Sequence, residues 1–305
     1  MKTSIKNLFA ALLVTLAVGS VARAEAPALS PAQAARSDIQ KTLGFLPAFL
    51  GNMPDGALPG TWEELKGLQL NPSTALNGKT KELIGLAVAA QVPCKYCTYA
   101  HTEFAKLNGA TSAELGEAIA VAGIERHFSA YFYGLQLDMT KFRAEIARIV
   151  EASKKGGTPS GAPINVVDAK SALQDIERTL GFVPEFLRKL PAGALPGVWR
   201  EMKDVQLAPN SALSPKVKAL VSLAVASQVP SEACIVAETE FAKLAGASEM
   251  EITEAVGMAA ITRNMSTLLN GQQTDEATFR ADVNRLVAGV KAAAKKTAMA
   301  APRKN

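Results

Sequence analysis

The chain has 305 residues, 48% of them hydrophobic and only 6% aromatic, with a formal net charge of +5. That much apolar material suits two modest cores rather than one. Lys2 and Lys6 lie at the N-terminus and Lys291, Lys295, Lys296, Arg303 and Lys304 near the C-terminus, so the body between them is close to neutral. With no basic stripe interleaved with aromatic residues, nucleic acid is excluded as a partner.

In chain order, Lys2 and Lys6 form a positive n-region ahead of the apolar stretch Leu8 to Val21. Ala22-Arg23-Ala24 then supplies small residues at the two positions a signal peptidase inspects. The segment 1–24 is thus expected to be a signal peptide cleaved after Ala24, leaving a periplasmic or secreted protein with no stable membrane insertion. The apolar run is short for a bilayer span.

The helical periodicity begins soon after the leader. Lys79 to Gln91 is apolar nearly all round beyond Glu82, the pattern of a buried core helix, and Pro93 breaks it. A second helix starts at about Cys94 and runs to Leu107, stopped by Asn108-Gly109. Thr111 or Ser112 caps the next, and Phe142, Ile146, Ile149 and Val150 give the apolar face of the last. Nothing alternates with period two, so the fold class is all-α.

The same unit is then written again. Asp38 to Val150 aligns without a gap to Asp175 to Val287 at a constant offset, that of Cys97 to Cys234, and roughly half the positions are identical. Thr42-Leu43-Gly44-Phe45 returns as Thr179-Leu180-Gly181-Phe182, and Trp62 as Trp199. The expected division is 30–153 for the first domain, 154–166 for a Gly/Pro-rich linker, 167–294 for the second domain and 295–305 for a basic tail.

Three cysteines are too few for a disulfide scaffold. Cys94 and Cys97 are close enough to pair with each other. On a helix, Cys94, Cys97 and His101 share one stripe, with Cys97 and His101 one turn apart. A helix N-terminus and an imidazole are the features that most readily favour a thiolate. Glu82 opens the preceding helix, which can turn back at Pro93 to lie beside His101. There its carboxylate would orient the imidazole or pass a proton.

Other readings of these residues exist. Cys94 and Cys97 could form a plain structural disulfide, although so short a loop adds little stability. A zinc site would need ligands that surround the metal, which one stripe does not supply. Glu82 alone could be a solvated residue beside Lys79 and Lys81. Tyr96, Tyr99 and Trp62 could line a pocket, and the recurrence of Trp62 favours packing. Lys95 reads as an exposed lysine and His127 as structural or exposed.

The order Glu82, Cys94, Cys97, His101, at the spacing E-x11-C-x2-C-x3-H, resembles the motif of the alkylhydroperoxidase AhpD-like proteins, the redox branch of the carboxymuconolactone decarboxylase superfamily. The resemblance covers about Trp62 to Val150 and its counterpart. It implies two tandem AhpD-like helical domains, obligate oligomers often built on threefold symmetry, and thiol-dependent reduction of a hydroperoxide substrate. It implies that Cys97 attacks peroxide, His101 helps to deprotonate it, Cys94 resolves the sulfenic acid, and Glu82 belongs to the proton relay. An unidentified thiol reductant would close the cycle; no cofactor or metal is implied.

The second copy departs from the motif in concert: Glu82 becomes Ala219, Cys94 becomes Ser231, His101 becomes Glu238, and only Cys97 persists, as Cys234. A carboxylate beside a lone thiol should raise its pKa, which makes the second copy a structural partner. Two other functions compete with a thiol peroxidase. One is a lactone decarboxylase-type enzyme of the same superfamily, which uses no cysteine pair. The other is a non-catalytic interaction module with a structural disulfide.

Overall fold

The computed structural model describes residues 29–155 and 163–300. The expected leader, the middle of the expected linker and the last residues of the tail lie outside that range.

Every regular element among the described residues is helical. The first repeat comprises α1 (Pro31–Leu43), α2 (Ala48–Gly51), α3 (Leu58–Glu64), a π-helical turn at Leu65–Gln69, α4 (Gly78–Gln91), α5 (Lys95–Leu107), α6 (Ser112–Gly134) and α7 (Met139–Lys154). The second comprises α8 (Ala169–Leu180), α9 (Glu185–Arg188), α10 (Leu195–Glu201), a π-helical turn at Met202–Gln206, α11 (Pro215–Gln228), α12 (Glu232–Leu244), α13 (Glu249–Gly271) and α14 (Glu276–Ala300).

The helix α4 starts where the Asn77 side chain accepts a hydrogen bond from the Thr80 backbone N–H, and it stops one residue before Val92-Pro93. Its residues are buried from Thr80 to Ala89, on all sides, because it packs against α5, α6, α11 and α13 at once. Each fully buried Leu or Ile here contributes about 1.5–3 kcal/mol by leaving water. Lys81 and Glu82 are buried with the rest, at 1% and 4% exposure, so the solvated helix start does not exist.

Lys81 survives burial because its Nζ donates to the Leu68 and Asn71 carbonyls and the Thr74 hydroxyl, at 2.8, 2.6 and 3.0 Å. Burial nonetheless pulls its pKa down. Lys218 repeats the cage on the Val205 and Ala208 carbonyls and the Ser211 hydroxyl. Each lysine ties the loop after a π turn to the central helix. The tryptophans are packing residues with a polar tether: Trp62 Nε1 donates to Asp38 at 2.7 Å, and Trp199 Nε1 to Asp175 at 2.8 Å.

The two repeats do not sit side by side as separate beads. α4 and α11 pack on each other at the centre, and the C-terminal helices cross over: α7 packs on α12 of the second repeat, and α14 packs on α5 of the first. Phe142 of α7 stacks edge-on to Phe186, with ring centroids 5.3 Å apart, and its counterpart Phe279 of α14 packs on Phe49 at 5.0 Å. Tyr96 belongs to this crossover. Its ring meets Phe279 edge-on and its hydroxyl donates to the Thr274 carbonyl at 2.6 Å, while the Tyr99 hydroxyl bonds Asn284 at 2.9 Å. Both tyrosines clamp α14 rather than walling a pocket.

Candidate redox site

Cys94 is the N-cap of α5, in extended conformation, and its sulfur accepts from the Cys97 backbone N–H at 3.2 Å. The helix proper therefore begins at Lys95, one residue later than the spacing predicts. Cys94 and Cys97 are joined by a disulfide, with their Cα atoms 5.3 Å apart. Both are buried, at 0% and 3% exposure.

One turn on, His101 is also buried. Its Nδ1 lies 2.6 Å from Glu82 Oε2, so α4 and α5 bring the carboxyl and the imidazole into contact. Glu82 is held in turn by Gln69, whose Nε2 donates to Oε1 at 3.1 Å. Gln69 closes the π turn, a distortion that recurs at functional sites because it re-aims a side chain. The other imidazole nitrogen, Nε2, lies 3.3 Å from the hydroxyl of Thr262, which comes from α13 of the second repeat. The imidazole also needs Gly85: any Cβ there would collide with its Cε1, Nδ1 and Nε2 atoms.

The structure thus brings Glu82, Cys94, Cys97 and His101 together, and adds three residues that the sequence reading missed: Gln69, Gly85 and Thr262. Cys97, His101, Gln69 and Thr262 all face one cavity of about 90 Å³. Its other walls are apolar and come from both repeats, among them Phe49, Met265, Leu269 and Phe279. That volume admits a small molecule and little water. Lys95 lies outside, paired with Glu276 at 2.7 Å, and His127 is on the surface, 4.0 Å from Glu201.

The equivalent place in the second repeat has different chemistry. Gly85 is matched by Ser222, which accepts from Gln206 Nε2 at 3.0 Å, and Ser231 caps α12 without a side-chain hydrogen bond. Cys234 is a buried free thiol. Burial raises its pKa first, and the carboxyl that adds most to that is Glu125 of α6, from the first repeat, ahead of Glu238. The sequence reading had named only Glu238.

Among the described residues no helix is long and apolar enough to cross a membrane, and no cluster of His, Cys, Asp or Glu is arranged to hold a metal. The model of the carboxymuconolactone decarboxylase family matches the chain twice, at residues 57–137 and 194–271. The chain is also 42% identical over 57 residues to "Uncharacterized protein 4 in cox locus" of Paracoccus denitrificans, a match covering 19% of this chain and 51% of that protein. The matched stretch thus spans about half the length of that curated relative. No solved structure matches. With both copies of the unit recognised, the chain belongs to the carboxymuconolactone decarboxylase family, as a tandem duplication.

Proposed function

We propose that the protein is a thiol-dependent peroxidase that cycles the Cys94–Cys97 pair between dithiol and disulfide. The observation that carries this reading is that one largely apolar cavity is faced by a buried Cys97 and by a buried His101 already engaged by Glu82. In the dithiol form, the Cys97 thiol gives its proton to the imidazole, and the thiolate attacks one peroxide oxygen. The O–O bond breaks, Cys97 becomes a sulfenic acid, and the alkoxide or hydroxide leaves with a proton to give an alcohol or water. Cys94 then attacks the Cys97 sulfur and expels water, which yields the disulfide. An external dithiol returns two electrons and two protons to restart the cycle.

Glu82 holds His101 in one orientation, and Gln69 holds Glu82. The apolar remainder of the cavity fits a small or short-chain hydroperoxide better than a bulky one. The test is a count of free thiols in reduced protein before and after a small excess of hydroperoxide under native conditions. The expected result is a fall from three thiols to one, with Cys234 retained. Retention of all three at a rate no faster than that of a simple alkyl thiol would remove the proposal.

A further inference from the structure

A second cavity, of about 350 Å³, occupies the corresponding place in the other half of the molecule. It is roughly four times the volume of the first, within the range of about 300–1,000 Å³ that holds small organic ligands. Ala219 stands where Glu82 stands in the redox site, which removes the carboxyl that fills space there. Phe128, Phe132, Phe142, Phe186 and Phe241 line it, and Leu207 and Leu244, 38% and 36% exposed, bring it to the surface.

Its polar end is made of Glu125 and Glu238, one from each repeat, only 5% and 7% exposed. Glu125 Oε1, Glu238 Oε2 and Gln206 Oε1 are buried there without a hydrogen-bond partner. Orphaned buried acceptors of this kind are rare in folded proteins and mark a missing donor. Among the described residues no lysine, arginine or histidine lines the cavity, so none of them supplies a cation to meet the carboxyl pair. Glu125 and Glu238 act on each other electrostatically, and any negative charge buried on the pair is costly unless a counter-charge meets it.

We infer that this second cavity is a binding site for an organic monoamine, taken as its ammonium with an aromatic or alkyl body among the phenylalanines. The ammonium offers three N–H donors, which suits three orphaned acceptors, and its positive charge is the counter-charge that a buried carboxyl pair needs in order to ionise. A carboxylate ligand would be repelled, and an alcohol could satisfy only one acceptor by donation. The site stands apart from the cysteine pair and does not depend on the reaction proposed for it.

The experiment is calorimetry on the full chain with phenethylamine, octylamine, octanol and octanoate at neutral pH. The amines should bind saturably and at least about tenfold more tightly than octanol, and octanoate should not bind. Glu125→Gln and Glu238→Gln should each reduce amine affinity about tenfold or more while leaving octanol unchanged, whereas Cys97→Ser should leave amine binding intact. A photoreactive octylamine on the unmodified protein locates the site even if a variant fails to fold. Label on peptides from 124–149 and 234–245 is the expected pattern. Label elsewhere alone, equal affinity for amine and octanol, no saturable binding of either amine, or an amine preference that survives both substitutions would each overturn the inference.

Discussion

The candidate redox site and the cavity in the second repeat are the same place in a duplicated frame, and they differ in opposite directions. In the first, a carboxyl and an imidazole satisfy each other and fill most of the space, leaving about 90 Å³ beside a sulfur pair. In the second, Ser231, Glu238 and Ala219 stand in place of the sulfur partner, the imidazole and the Glu82 carboxyl, and two carboxyls face about 350 Å³ of mostly apolar volume. The scaffold tolerates both because its packing residues recur: the caged lysines Lys81 and Lys218, the tethered tryptophans, and the crossed helices α7 and α14. Chemistry is exchanged at a few positions while the frame that places them stays.

The sharpest way to break this contrast is at the sulfur. Cys97→Ser should abolish peroxide consumption, whereas Cys94→Ser should allow one turnover and leave a sulfenic acid trapped at Cys97. Identical behaviour of the two variants in a single-turnover assay would show that the roles are misassigned. Next in size is Gly85→Ala. The added methyl would push the imidazole away from Glu82, and a displacement of that order should slow the peroxide reaction about 100-fold with the helical circular dichroism preserved. A rate within a factor of about two of the parent would mean that His101 positioning is not needed.

The carboxyl pair gives a pH signature of the other half. Burial raises the Glu125 pKa to about 7 and pushes Glu238 well above its ordinary value. The folded protein holds protons that the unfolded chain releases above the ordinary glutamate pKa near 4.5. Stability from this source is therefore fully present below that pH and is lost as pH rises toward 7. For Glu125 alone the loss is roughly 3 kcal/mol. Urea midpoints measured from pH 4.5 to 8 should fall more steeply for the parent than for Glu125→Gln, and parallel curves would refute the burial argument.

Two smaller effects refine the comparison. Thr262→Val removes a contact that reaches His101 from the other repeat, and the peroxide rate should drop about threefold to tenfold, as expected for one neutral hydrogen bond. No change would mean that the hydroxyl does not share the imidazole's proton. Cys234→Ser should leave peroxide turnover unchanged, since the Cys234 thiol is buried and held protonated. A large loss, with the fold intact, would bring the second repeat into the redox cycle.

Much of this architecture is legible in the amino-acid order. Apolar spacing outlines the helices, and the motif residues from Glu82 to His101 meet because they lie on adjacent helices joined by a short break at Pro93. What periodicity cannot supply is contact between distant segments. Thr262 touches His101 across 161 positions, and Glu125 reaches Cys234 only because α6 crosses into the other half. One signal was present all the same. Ile124-Glu125-Arg126 aligns with Ile261-Thr262-Arg263, so a single position changes between two identical neighbours, in step with the exchange of His101 for Glu238. Gln69 was hidden for a different reason: its reach depends on a π turn, and the helical pattern reads as unbroken through it.

The crossing of α7 and α14 sets an order of assembly. When the first repeat has left the ribosome, its cysteine pair, His101 and Glu82 are all present, yet the walls formed by Met265, Leu269 and Phe279 have still to be synthesised. The nascent half would hold its thiols and a buried carboxyl beneath an unroofed apolar surface until the last two helices arrive. Chain closure over so long a sequence separation is slow compared with the folding of local helix pairs. Synthesis of the final helices is therefore the event that completes the walls around Cys97, whereas the second cavity takes no wall residue beyond Ala245, and truncation between α12 and Leu286 would leave the first cavity open even though every residue of its motif is intact.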